Sequence, residues 1–546
     1  MTATPTLAPN GAAGPTPAGT WRAGPAVRAA SGVGAAALAL GVGHLVAAFV
    51  SPPASPLVAV GSALIDAAPT SAKTTAVRLL GTYDKPVLIG AVAVVLLVVA
   101  AVLGLLAARR RGAAVTGVAL LGVVGAACAV YRGGPVDAVP SVVAGVAGAA
   151  GLLWVTGRAA PVEPRTTPDL AVVPVPVPGR STDAGNAVAP HATSRRGFLV
   201  ALGVVAAGAA LSGAAGTVVG RVRDASSAAR RALGLPAPAS AAAPLPDGVQ
   251  LPGMTPFTTP VDDFYRVDIS LVTPRIDAST WTLTVDGMVD HPFTLTYDEL
   301  LAMPMIERDI TLTCVSNEVG GPYVSSGRWL GVPLAAILER AGVQPGVDQV
   351  YSYSLDSGYT ASTPFQAVSD GRDAMIAVGL DGKPLADARG YPARMIVPGL
   401  FGFVANTKWL ERIELTTYAK RTAYWTERGW ATDGPILTQS RIDLPKSLST
   451  LPKDKPVLAG VAWAQHRGIE KVEVQIDDGD WQEASLATDG GLDLWRQWSF
   501  RFDGPAGLHS ARVRATDATG ATQPEERTKV FPDGARGWHQ IQFTSE

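Results

Sequence analysis

Cysteine is nearly absent from this chain of 546 residues, which has two, Cys128 and Cys314. They lie in segments of different character, which argues against a disulfide between them and against a four-cysteine metal cluster. Histidine is missing from the apolar stretches except at His44. A membrane b-type haem takes two axial histidines and a c-type haem a Cys-x-x-Cys-His run, so no haem is expected. His44 itself reads as a polar residue of helix packing. A basic excess is lacking too, because the formal net charge is −1. With no helix-turn-helix or zinc-finger pattern either, nucleic acid is not an expected partner. Hydrophobic residues, in contrast, make up 47%, and the mean hydropathy is +0.22. That is too apolar for an ordinary soluble protein, so part of the chain is expected in lipid.

Residues 1–28 are rich in Pro, Gly, Ala and Thr and are expected to be a disordered tail. Five apolar segments follow, near Ala29–Val50, Val87–Ala108, Gly112–Val130, Ala138–Val155 and Gly197–Gly220. The second, at ~33 Å of helix rise, can cross a hydrocarbon core of ~30 Å. The first four make a membrane region over 29–158 and the last a fifth span over 197–220. The fourth contains Pro140, and the intervening Ser51–Pro69, with Pro52, Pro53 and Pro56, suggests an interfacial segment. Basic residues before the first span, after the second and after the fourth place the N-terminus in the cytoplasm. Five crossings then put everything after residue 220 outside, at a multi-pass cell membrane. Arg221, Arg223, Arg230 and Arg231 sit on the side this rule disfavours. An answer is offered by Ser194-Arg-Arg-Gly-Phe-Leu199, at the end of a cytoplasmic linker over 159–196. It resembles the twin-arginine export signal, a route that carries folded proteins.

A second linker, 221–255, is followed by strand-like segments such as Trp281-Thr-Leu-Thr-Val-Asp-Gly287 and by a helical piece at Pro333–Ala341. The domain over 256–455 is therefore read as α+β. In 456–546, Val472, Val474 and Ile476 alternate with polar residues and end in Asp478-Gly479, as in a half-buried strand and its turn. Similar runs at regular spacing suggest an immunoglobulin-like β-sandwich without its disulfide. The fold class is multidomain: a helical membrane bundle, an α+β domain and a β-sandwich. Within the α+β part, Asp309-Ile-Thr-Leu-Thr-Cys-Val-Ser-Asn317 places Cys314 at the end of a β-branched run. By itself it is open to two readings, a small buried core residue or a thiolate ligand of a redox metal.

Several motifs, in order, carry a resemblance that bears on this choice. They are Asp263-Phe-Tyr-Arg266, Trp281-x-Leu-x-Val-Asp-Gly-Met288, Leu312-Thr-Cys-x-x-Asn317, Arg394-Met-Ile-Val-Pro-Gly399, Thr407-Lys-Trp-Leu410 and Gly460-Val-Ala-Trp463. Together they resemble the sulfite-oxidase-like molybdopterin oxidoreductases, from about Pro256 to Trp538. The resemblance implies a molybdenum cofactor, with Cys314 as the protein ligand of the metal. It implies that Arg394 and Lys408 anchor an anionic pterin phosphate. Asp262, Tyr265 and Arg266 match positions touching the cofactor or the substrate pocket, and Ser354 and Arg389 are further carry-overs to cofactor binding. The catalytic set expected is Cys314, Arg266 and Trp430.

Two departures bear on the substrate. Glu318 and Val319 stand where sulfite oxidases carry arginines, and Trp430, in Trp425-Thr-Glu-Arg-Gly-Trp430, stands in the place of an active-site tyrosine. A two-electron oxygen-atom transfer on a small substrate other than sulfite is therefore expected. Electrons pass to or from a separate quinone or redox protein, and the last domain resembles one that forms homodimers. The alternative from another class is a non-catalytic receptor or scaffold that retains the fold.

Overall fold

The computed structural model describes residues 24–69, 72, 75–76, 79–80, 83–159, 195–231, 234–356 and 358–546. The expected tail up to residue 23 and positions 160–194 of the first linker, Ser194 included, lie outside them. Among the described residues, five helices are long and apolar enough to cross a membrane: Pro25–Val50, Asp84–Ala107, Arg111–Gly133, Pro135–Gly157 and Arg196–Val218. They form an N-terminal bundle with a multi-pass membrane arrangement. Small residues let these helices approach backbone to backbone. A Cβ added at Gly32 would lie 1.9 Å from the Ala100 carbonyl oxygen, and one at Gly104 would lie 2.3 Å from that of Arg28. Pro140 is the second residue of the helix Val139–Ala159, where the missing N–H would have had no helical partner. Between the first two spans, the helix Pro56–Ala67 has 12 residues, or ~18 Å, too short to cross.

The helix carrying the fifth span runs from Arg195 to Arg231, past the end expected at residue 220. Nothing from Arg221 to Arg231 is Gly or Pro, so helix propensity carries it on. From 234 the chain, assigned to the second linker in sequence, lies extended along the fold that follows it. Ala239 N–H donates to the Met305 carbonyl (2.8 Å) and Glu307 N–H to that of Ser240 (2.8 Å), and Val249 N–H donates to Gln497 Oε1 (2.8 Å). An Ala/Pro-rich segment resists helix and suits such edge pairing.

The central domain is α+β. One sheet has the strand order Phe293–Thr296, Thr282–Gly287, Leu410–Thr416, Gln349–Ser354, Thr360–Pro364. Thr282–Gly287 and Leu410–Thr416 are parallel. Leu283 and Val285 are fully buried, as the alternation in sequence requires. The other sheet joins Ile306–Thr313, Val324–Pro333 and Met375–Leu380, and the short strand Arg394–Ile396 adds to Met375–Leu380. The helix Leu334–Ala341 buries Leu334, Ile337, Leu338 and Ala341 on one stripe and ends at Gly342, whose φ of 64° suits glycine.

Two further sheets follow. One contains Gln439–Leu444, Val457–Trp463 and Arg496–Arg501; the other contains His539–Ser545, Gly507–Asp517 and Ile469–Ile476. Leu458 and Trp498 from the first meet Val472, Val513 and Phe543 from the second in one core. Gln439–Leu444 lies before the boundary expected at 455/456 yet pairs with Val457–Trp463. Prolines at 445, 452 and 456 obscure that continuity in sequence. The joint to the central domain is tight, since Trp463 and Trp495 enter its core and Trp495 N–H donates to Thr311 Oγ1 (2.9 Å).

Candidate active site

Cys314 follows the last residue of the strand Ile306–Thr313, and Gln465 steadies that end. Its amide donates to the Thr311 carbonyl (3.0 Å) and to Thr313 Oγ1 (3.1 Å). The chain then turns back on itself. Cys314 N–H donates to the Tyr323 carbonyl and Asn317 N–H to that of Cys314, both at 3.0 Å. Tyr323 N–H donates to Asn317 Oδ1 (2.8 Å). Asn317 thus clamps the loop. The Sγ atom receives the Ser316 N–H at 3.4 Å and lines a cavity in the central domain. Burial pushes the thiol up, while the Ser316 hydrogen bonds and the Lys408 charge act the other way.

Three cations line the same cavity. Lys408 donates to Asp268 Oδ2 at 2.8 Å; Asp268, only 4% exposed, also accepts from Arg266 Nε at 2.7 Å. Burial pulls Lys408 down to about 8, and Asp268 opposes that pull. Gly390, with φ of 104°, lets the chain pass Lys408, because a Cβ there would lie 3.0 Å from the lysine Cβ. Arg389 donates to the carbonyls of Tyr265 (3.0 Å) and Val261 (2.7 Å). Arg394 donates to the Arg389 carbonyl (3.2 Å) and lies 5.1 Å from the Trp329 ring centre. Burial pulls Arg394 down to about 10, with Arg389 adding repulsion.

Among the described residues, the hydrogen bonds found for these two guanidiniums reach carbonyl oxygens and not carboxylates. The lining sets three cations against the two carboxylates Asp268 and Asp356, which leaves a net positive charge. Buried polar atoms here also lack a partner among the described residues: Arg394 Nε, Asn406 Oδ1 and Nδ2, and Trp430 Nε1. Leaving such groups unpaired costs ~1–3 kcal/mol each, so their convergence marks a place shaped for a polar, anionic guest.

Seven residues singled out in the sequence line the cavity: Tyr265, Cys314, Ser354, Arg389, Arg394, Lys408 and Trp430. The Ser354 hydroxyl is engaged, donating to the Lys408 carbonyl (2.8 Å) and accepting the Asp356 N–H (3.0 Å). Trp430 stands in an aromatic wall, with ring centres 6.0 Å from Phe403, 6.2 Å from Trp425 and 5.2 Å from Phe531. Asp262 and Arg266 are not among the lining residues; Asp262 is exposed, and Arg266 meets the site through its ion pair with Asp268. Glu318 is exposed and also off the lining, while Arg328 pairs with Asp309 at 2.7 Å. Glu318, which stands where sulfite oxidases carry an arginine, is therefore not part of the cavity wall. Sequence reasoning missed Asp268, Tyr359 and Asn406. For Asp268 a signal existed, a carboxylate between Val267 and Ile269 that needs a buried cation. Tyr265 and Tyr359 are both raised above the ordinary phenol range, chiefly by burial and next by the Cys314 charge.

Residues 270–425 match the model of the oxidoreductase molybdopterin binding domain. The chain is 30% identical over 337 residues to NADH nitrate reductase of Solanum lycopersicum, covering 50% of this chain and 36% of that protein. It is 26% identical over 324 residues to mitochondrial sulfite oxidase of Rattus norvegicus, covering 50% and 59% respectively. It thus spans about a third to three-fifths of the length of these curated relatives. A crystal structure of the sulfane dehydrogenase SoxCD from Paracoccus pantotrophus gives a TM-score of 0.45 at 22% identity, covering 54% of this chain and 84% of that one.

Proposed function

We propose, from the premise that this chain carries a molybdopterin oxidoreductase domain related to sulfite oxidase and nitrate reductase, that it works as a membrane-anchored enzyme. Its reaction is a two-electron oxygen-atom transfer on a small substrate. The observation that carries this reading is the convergence of the Cys314 thiol with Arg389, Arg394 and Lys408 on one cavity. The residues fit the cofactor on their own chemistry: a soft sulfur ligand, cations for a phosphate, and unpaired polar atoms at Arg394, Asn406 and Trp430. When bound, the molybdenum cofactor supplies the two-electron exchange at a metal site.

The chain's own residues then divide the work. Cys314 offers a thiolate, favoured by the Ser316 N–H and by Lys408. Arg389 and Arg394 hold negative charge and planar groups. Asp268 keeps the buried Lys408 protonated and aimed. Trp430 with Trp425 and Phe403 forms a dry wall, and its Nε1–H is free to meet a substrate oxygen. That apolar wall supports an uncharged oxygen donor or acceptor in preference to sulfite. Arg266 and Asp262 act at one remove, around Asp268 and Arg389.

The two C-terminal sheets are read as an immunoglobulin-like sandwich on their shared core. Twin-arginine export through Arg195 and Arg196 sets the domain on the extracytoplasmic side. The test is dye-coupled turnover of the purified chain across sulfoxides, N-oxides and sulfite. Turnover of a neutral substrate with little on sulfite is expected, and efficient sulfite oxidation would overturn the substrate reading.

A further inference from the structure

The membrane bundle holds a second cavity, of about 100 Å³, lined almost wholly by apolar atoms. That is on the order of the ~150 Å³ that admits one aromatic ring. Small residues on several helices create it, among them Gly32, Ala36, Gly122, Gly145 and Gly148. One polar side chain lines it. Ser141 is 1% exposed, and its Oγ has no hydrogen-bond partner among the described residues. Other hydroxyls on these helices behave differently. Ser31, Thr156 and Ser212 each donate to the carbonyl four residues back, at 3.0, 2.6 and 2.7 Å, which satisfies a hydroxyl in lipid at little cost. The room beside Ser141 is kept open by Gly125, where a Cβ would lie 2.9 Å from the serine Oγ. An unpaired donor in an apolar setting costs ~1–3 kcal/mol, and the most direct way to recover it is a guest carrying an acceptor.

We propose that this cavity binds the ring of a lipid-soluble quinone, with one carbonyl oxygen accepting a hydrogen bond from Ser141 Oγ. Only a molecule dissolved in the bilayer reaches a cavity among spanning helices, which excludes charged and water-borne ligands. A hydrocarbon chain would fill the space but leave the hydroxyl unpaired. A ring with a carbonyl does both. The role of such a guest rests on the function proposed above: oxidation of a substrate by addition of an oxygen atom from water releases two electrons and two protons, which convert quinone to quinol. The reverse reaction consumes quinol. The binding itself does not depend on that role.

The test uses the full chain in nanodiscs of a single synthetic phosphatidylcholine, titrated with a decyl-substituted benzoquinone. Saturable binding at one site is expected, together with a quinone carbonyl stretch displaced to lower frequency. Ser141→Ala should weaken binding about five- to tenfold, the worth of one buried hydrogen bond, and return the band to its position in lipid alone. Ala36→Phe should fill the cavity and remove binding; where that variant does not fold, Ser141→Ala decides. Partitioning that never saturates, or an unchanged affinity and band in Ser141→Ala, overturns the proposal. So does a phosphatidylcholine retained one to one that the quinone fails to displace. Cys314→Ser should bind the quinone as the wild type does, so loss of turnover with binding intact counts against the proposed function and not against this site.

Discussion

Replacing Asp268 by Asn should destabilise the cofactor-free protein in a way that depends on pH, and Lys408 sets the size of the effect. In the wild type, burial holds the Lys408 ammonium at about 8, against 10.5 for a free lysine. A lysine that holds its proton less tightly folded than unfolded makes stability rise with pH between those two values. Below pH 8, keeping the charge therefore costs roughly 3 kcal/mol, at ~1.4 kcal/mol per pH unit. Both partners are well buried, with side chains 13% and 4% exposed, so little is lost to solvent screening. Removing the carboxylate pulls the folded value lower still. At pH 7 the added cost grows only until the amine gives up its proton, which caps it at ~1.4 kcal/mol, the interval from about 8 down to 7. At pH 10 the amine is neutral in both folded proteins. The deficit of the variant at pH 7 should thus exceed its deficit at pH 10 by up to ~1.4 kcal/mol. Denaturant unfolding followed by tryptophan fluorescence at the two pH values measures this. An equal deficit at both would refute the reasoning and reduce Asp268 to a neutral hydrogen-bond acceptor.

Three other expectations follow from the same geometry. Cys314→Ser should abolish turnover while the domain folds and still retains pterin, because the anchoring cations lie elsewhere; full activity by dye-coupled assay would defeat the ligand assignment. Changing Arg195 and Arg196 to Lys should leave the first four spans inserted but hold the C-terminal domain in the cytoplasm. Digestion of that domain by protease added outside would show the export reading to be wrong. Glu318→Arg should change the sulfite rate by no more than about twofold, since an exposed charge off the cavity wall is screened, and a gain of more than about tenfold would place Glu318 against the substrate.

The architecture was most legible where physical chemistry repeats itself along the chain. Apolar runs long enough to span, the alternation at Leu283 and Val285, and the apolar stripe of Leu334, Ile337, Leu338 and Ala341 each leave a periodic trace. The cavity was legible in part. Arg394 stands out because a charge inside an apolar strand is costly and demands a reason, while Cys314 and Lys408 were legible through the motifs they sit in. Asp268 and Asn406 sit in segments without periodicity, and their importance comes from contacts made across the fold, with Lys408 and with the unpaired edge of the cavity. Glu318 shows the converse. Its position beside the cysteine motif suggested the pocket, but the turn closed by Asn317 and Tyr323 leaves it exposed. Where an aperiodic loop points its side chains is set by such closures, which a linear reading does not reveal.

The central claim is that Arg389, Arg394, Lys408 and Cys314 surround a molybdenum cofactor, and its most direct test is the molybdenum and pterin content of the full chain, produced in a host with active cofactor synthesis. The account predicts one molybdenum and one pterin per chain in the wild type, with both much reduced in Arg394→Ala. Folded wild-type protein containing neither would contradict it.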